Sequence, residues 1–179
     1  SRSETFDWIY RTNKWDGESR SGKGSGLERT YRIRQQLPEL LESLQVKSIV
    51  DVPCGDHGWM STLDLSPYDY VGIDIVASLI EENRKKYPMH RFEVIDACEG
   101  PIPDGDLLIC RDFLVHLSLA DIENALDNLL AVRGRFIMCT TFPGITRNID
   151  IVTGKHRRLN MRLPPFEWPE PLIELAEGT

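Results

Sequence analysis

Five short apolar runs, separated by turn residues or by helical patterns, restrict this chain's fold more than any other feature. They are 48–52, 70–75, 91–95, 106–110 and 135–141. Each has strand length and is nearly continuous in apolar character, as expected of strands covered on both faces. The first, Ser48-Ile49-Val50-Asp51-Val52, closes on Pro53 and Gly55, a tight-turn signature. Between the runs, 77–87 places Leu79, Ile80 and Asn83 on one helical face, and 119–132 repeats Ile122, Ala125, Leu126, Leu129 and Leu130. Ser118 and Asp121 resemble a capping box at the start of that second helix. Strands alternating with helices predict an α/β fold: a doubly wound, mostly parallel, Rossmann-like sheet with helices on both faces.

The flanking segments are less regular. From Gly26 to Leu44 apolar residues recur at near-helical spacing around Pro38, which predicts two short helices. Residues 142–171 are rich in Pro, Arg and Asn, and are longer than an ordinary connection. After them only 171–177 could form a helix. At 179 residues the chain is expected to be one domain: an N-terminal arm with helices (1–45), a ligand-binding core (46–141) and a lid (142–171).

Net charge is −7, which disfavours a nucleic-acid coat, because phosphate binding leans on Lys and Arg. Residues 1–34 nevertheless carry eight Lys/Arg against five Asp/Glu. Cys54, Cys98, Cys110 and Cys139 are widely spaced beside apolar runs, so neither a metal site nor a disulfide scaffold is expected. That pattern, with no apolar run near ~20 residues and no leader-like start, predicts a soluble cytoplasmic protein away from membranes.

Ligands of doubly wound sheets bind beyond the carboxyl ends of the strands. Four runs end in polar residues: Asp51-Val52-Pro53-Cys54-Gly55-Asp56, Asp74-Ile75, Asp96-Ala97 and Arg111-Asp112. One such acid is an ordinary loop residue, whereas four strand ends together indicate a site. Residues 17–23 match the opening of a phosphate-cradling loop, but Gly24 follows where Ser or Thr would hold magnesium, and no strand precedes it. The stretch 20–25 is instead a flexible arm or a pocket lining, with Ser21 and Lys23 as candidate substrate contacts.

On these residues the chain resembles the class I S-adenosylmethionine-dependent methyltransferases. The resemblance implies that Asp51 and Gly55 belong to the turn at the methionine part of the cofactor, that Asp74 accepts the ribose hydroxyls and that Asp96 lies beside the adenine. Pro53, Cys54, Asp56, Trp59, Ile75, Ala97 and Arg111 complete the implied cofactor set. Pro53 and His57 depart from the family's glycines, and with Trp15, Ser19, Ser21, Gly22, Gly24 and Ser25 they suggest a subgroup with a D-x-P-C-G-D turn. A nicotinamide-binding domain also places an acid like Asp74 on a ribose, but it needs more glycines, and Asp51 and Asp56 would repel a pyrophosphate.

For chemistry, His116 is the candidate general base with Asp112 beside it; a four-residue spacing would set both on one helical face. The alternative is structural, with His116 bonding a loop and Asp112 capping a helix. Residues 145–163 carry five Lys/Arg, including Arg147 and Arg157, against Asp150 alone, which would suit an anionic acceptor. The expected activity is methylation of oxygen or nitrogen on a small anionic metabolite. An RNA methyltransferase and a non-catalytic cofactor-binding module are the alternatives. Only five strands are visible where that family usually has seven, so the sheet should be shortened, with its last edge covered by the lid or by another copy of the chain.

Overall fold

The computed structural model describes residues 1–177. Nine regular elements follow in the order α1 (Arg2–Thr12), α2 (Tyr31–Ser43), β1 (Ser48–Asp51), β2 (Asp69–Asp74), α3 (Ala77–Lys86), β3 (Arg91–Val94), β4 (Leu107–Cys110), α4 (Leu119–Ala131) and β5 (Phe136–Cys139). The five strands form one sheet, order β3-β2-β1-β4-β5, and every pairing is parallel.

Side chains alternate between the two faces, as strand geometry requires. Ile49, Tyr70, Phe92, Leu107 and Ile109 pack with α2 and α3 on one face. Val50, Val71, Ile73, Leu108 and Cys110 pack with Ile122, Ala125 and Leu129 of α4 on the other. The Ser118 hydroxyl accepts the Asp121 amide at 3.1 Å and starts α4. The strand order reverses between β1 and β4, so the switch point of the sheet lies at their carboxyl ends.

Two expectations change. Pro38 does not divide its segment: Ile33, Leu37 and Leu41 bury one unbroken stripe of α2, and that packing outweighs the single backbone bond that Pro38 cannot make. Residues 171–177 form no helix, because Leu172 and Ile173 face solvent and only Leu175 packs against the core. The arm, in contrast, is largely helix. The Ser1 hydroxyl accepts the Glu4 amide at 3.3 Å, and Asn13, at φ 47°, ends α1 in the left-handed region.

Residues 142–171 contain no helix or strand, yet they fold back on the body. Arg157 N donates to Val115 O and Gly154 N to His116 O, while Leu159 and Met161 are buried with α4. Among the described residues no helix is long and apolar enough to cross a membrane.

Candidate functional site

A cleft opens at the carboxyl ends of β1, β2 and β4. Asp51, Pro53, Cys54, Gly55 and Trp59 line one side, Asp74 and Ile75 the next, and Arg111, Asp112 and His116 the third. Phe6, Ile9 and Tyr10 of α1 close it from above, with Trp15, Arg20, Ser21 and Ser25.

The turn after β1 is held from three sides. Gly55 has φ 53°, and a side chain there would bring Cβ within 2.4 Å of Ser21 Oγ. Ser21 Oγ accepts the Asp56 amide at 2.8 Å, and Asn83 of α3 donates to Gly55 O at 2.7 Å. Asp56 does not face the cleft: its carboxylate accepts Ser19 Oγ at 2.7 Å and Gly58 N at 3.1 Å, tying the arm to the turn. His57 is also left-handed, at φ 57°, which shows why a glycine suits that position.

Burial governs the acids. Asp74 accepts Gly55 N at 3.2 Å and Val76 N at 3.0 Å, yet loss of solvent pushes its carboxyl up to about 6 against those bonds. Asp51 accepts the Tyr70 hydroxyl at 2.8 Å; burial pushes it up to about 7, with Tyr70 and Arg111 pulling the other way. The Tyr70 proton is committed to Asp51, so Nδ1 of His57, 3.0 Å away, donates to Tyr70. Nε2 of His57 is then an unprotonated, buried atom with no partner among the described residues. Burial holds this imidazole down at about 3, and it stays neutral.

A smaller hollow adjoins the cleft, walled by Val52, Ile95, Ala97, Phe113 and Leu117 with Asp96 at its rim. Arg2 bridges this rim, reaching Asp96 at 2.8 Å, Asp121 at 2.8 Å and Glu99 at 2.9 Å.

Asp112 and His116 share the cleft without sharing a helix. Asp112 is left-handed at φ 51°, and a single 3₁₀ turn, Leu114–His116, follows it. Asp112 caps no helix; its backbone amide donates to Thr140 Oγ1 at 2.9 Å. Nδ1 of His116 lies 2.9 Å from Lys155 O, and Trp15 stacks on the imidazole at 4.4 Å between centroids.

Of the expected substrate contacts, Ser21 lines the cleft and Lys23, Arg147 and Arg157 do not. Lys23 pairs with Asp16, and Arg147 is exposed. Arg157 is buried, donating to Leu114 O at 2.8 Å and Ile149 O at 3.1 Å, which anchors the 142–171 segment. Arg20 lies in the stretch 20–25 read as an arm or a pocket lining, whereas sequence reasoning missed Phe6, Ile9 and Tyr10. Their only signal was apolar spacing in the arm.

No curated protein matches the chain in sequence. Its fold is similar to that of the PH0226 protein from Pyrococcus horikoshii OT3 (24% identity, TM-score 0.52), covering 63% of this chain and 58% of that one. It is also similar to the N-methyltransferase NodS from Bradyrhizobium japonicum WM9, crystallised with S-adenosyl-L-homocysteine (16%, 0.56, 70% and 66%). A third similar structure is Streptomyces venezuelae DesVI (14%, 0.53, 69% and 56%). The chain spans less than two thirds of the length of each. Residues 50–138, from β1 to β5, match the family described as a methyltransferase domain. The segment that builds the sheet and its cleft is therefore the part of the chain that matches a methyltransferase domain, and it carries the parallel α/β sheet of these structures.

Proposed function

We propose that the chain methylates an oxygen or nitrogen atom of a small anionic acceptor in this cleft. The observation that carries the reading is the convergence of Asp51, Asp74, Asp112 and His116 on one cleft at the switch point of the sheet.

The residues present fit S-adenosylmethionine. The apolar hollow bounded by Ile95, Ala97 and Phe113 suits a flat adenine ring, with Asp96 at its edge. Asp74, between hollow and cleft, has lone pairs left for the ribose hydroxyls after its two backbone bonds. Asp51 and Asp112 suit the ammonium and sulfonium charges of the cofactor. When bound, the cofactor supplies an electrophilic methyl group on a sulfonium.

The chain's own residues hold and move the acceptor's proton. A carbonyl can only accept, so His116 Nδ1 carries the proton toward Lys155 O, which leaves Nε2 with a free lone pair. Nε2 takes the proton from the acceptor's O–H or N–H, and the Asp112 charge favours the imidazolium that forms. Trp15 and Phe113 limit water around the reacting atoms.

Arg20 supports an anionic acceptor. It lies at the exposed edge of the cleft, 5.5 Å over the Tyr10 ring, with no carboxylate partner among the described residues. Calorimetry should show micromolar binding of S-adenosylhomocysteine and none of NADH. A panel of carboxylates and phosphates should then yield S-adenosylhomocysteine, and Arg20→Ala should raise KM for them. Binding without turnover on the whole panel would leave a non-catalytic module in place of an enzyme.

A further inference from the structure

Arg111 ends β4 on the wall of the cleft and is more than nine-tenths buried, which places a fixed positive charge where solvent cannot neutralise it. Its Nη2 donates to Gly24 O at 2.8 Å, and its Nη1 lies 3.3 Å from Asp112 Oδ2. The remaining capacity of the guanidinium goes to a residue from the far end of the chain. Nε donates to Glu177 Oε1 at 2.5 Å and Nη2 to Glu177 Oε2 at 3.0 Å, a forked grip on one carboxylate.

Little else fastens that tail. Leu172 is 86% exposed, only Leu175 packs on the core, and the Gln36 side chain reaches Ala176 O at the long distance of 3.5 Å. A buried guanidinium whose planar fork already holds a weakly tethered carboxylate is a carboxylate receptor. The proposed cofactor carries one carboxylate, on the amino-acid portion that Asp51, Gly55 and Asp112 surround. The fork cannot hold both.

We propose that Glu177 is an internal competitor for the cofactor: it occupies the Arg111 fork until the cofactor's carboxylate displaces it, and the 171–177 tail acts as a tethered strap that sets cofactor affinity. This rests on the cofactor reading above. A strap closed for about nine-tenths of the time would weaken apparent affinity about tenfold.

The test is calorimetry on the full chain with two ligands. One is S-adenosylhomocysteine. The other is 5′-methylthioadenosine, which keeps the nucleoside and the thioether sulfur but has no carboxylate. Glu177→Gln should bind S-adenosylhomocysteine about tenfold tighter than the parent and bind 5′-methylthioadenosine equally well. Glu174→Gln, an exposed change on the same tail, should alter neither. Equal S-adenosylhomocysteine affinity in parent and Glu177→Gln would overturn the strap while leaving the cofactor reading intact, and so would equal tightening of both ligands. Failure of both ligands to bind either folded protein would overturn the cofactor reading and the strap with it.

Discussion

The imidazole of His116 and the backbone carbonyl of Lys155 are 2.9 Å apart, and this contact fixes which nitrogen of the ring is basic. Burial pushes His116 down to about 4, with His156 and Arg157 acting in the same direction and Asp112 against them. The ring is therefore neutral at pH 7 with Nε2 ready to accept. His116→Ala should lower turnover by ~10² to 10⁴ while S-adenosylhomocysteine affinity stays unchanged. In the parent the histidine limb of the rate should be flat near neutrality and fall only as pH drops toward 4. Wild-type turnover in the variant would remove His116 from the chemistry.

In the proposed reading, Asp51 combines a binding role with a cost to the fold. Its folded-state value of about 7 exceeds the unfolded value near 4, so the folded chain binds the extra proton and stability falls as pH rises between those values. Only the ionised form attracts the ammonium group of the ligand. S-adenosylhomocysteine affinity should therefore increase as pH rises through about 7. Asp51→Asn should flatten that increase, weaken binding and, at pH 8, raise the melting temperature of the ligand-free chain by a few degrees. A lower melting temperature with unchanged binding would contradict both halves.

Tyr70 tunes this acid from the side away from the cleft. Its hydroxyl donates to Asp51 and receives from His57, so Tyr70→Phe removes a bond that favours the carboxylate. The midpoint of the affinity-against-pH curve should move to higher pH by a measurable fraction of a unit or more. A structural effect alone would lower stability and leave the midpoint in place, and calorimetry from pH 6 to 8.5 distinguishes the two.

Much of the sheet and part of the site were legible because parallel strands buried on both faces leave unbroken apolar runs. Their carboxyl-end acids then fall in the cleft with no further information, Asp51 at the switch point and Asp74 on the neighbouring strand. Other features depend on distant partners. α1 looked like a polar arm because its apolar residues are few, and they become a roof only against Ile75 and Leu79. Arg157 looked like a substrate contact because a local count cannot show that the carbonyls of Leu114 and Ile149 converge on it. Asn83 stood on the apolar face of its helix, where a lone amide would be costly unless a partner such as Gly55 O were waiting.

Asp74 tests the cofactor assignment with the least disturbance of the turn. Asp74→Asn keeps an oxygen for one of the Gly55 and Val76 amides and removes the charge that would hold two hydroxyls. Losing a charged hydrogen-bond partner costs ~1.5 to 3 kcal/mol, roughly tenfold to a hundredfold in S-adenosylhomocysteine affinity. The variant should stay folded by circular dichroism. Unchanged affinity would mean that the ribose lies elsewhere.

The roof of the cleft makes a kinetic prediction. α1 is joined to the body by Arg2, whose guanidinium meets Asp96, Glu99 and Asp121, and by the Tyr10 hydroxyl, which donates to Glu82 at 2.8 Å. The side chains of Arg2, Asp96 and Asp121 are about 20% exposed, with Glu99 far more open, so salt should screen the latch only in part. Phe6 and Ile9 of this helix cover a ligand in the cleft, so loosening the helix should speed its release. In stopped-flow displacement, S-adenosylhomocysteine should dissociate from the parent faster as salt rises from 50 to 500 mM. Arg2→Ala should release it at least threefold faster at low salt and lose most of the salt dependence, because the three acids then repel one another with no cation between them. The same variant should retain its melting temperature to within a few degrees, since Arg2 lies outside the core cluster that Tyr10 joins. An unchanged release rate would mean that ligand exit does not pass beneath α1, and that Arg2 ties the arm down without gating the cleft.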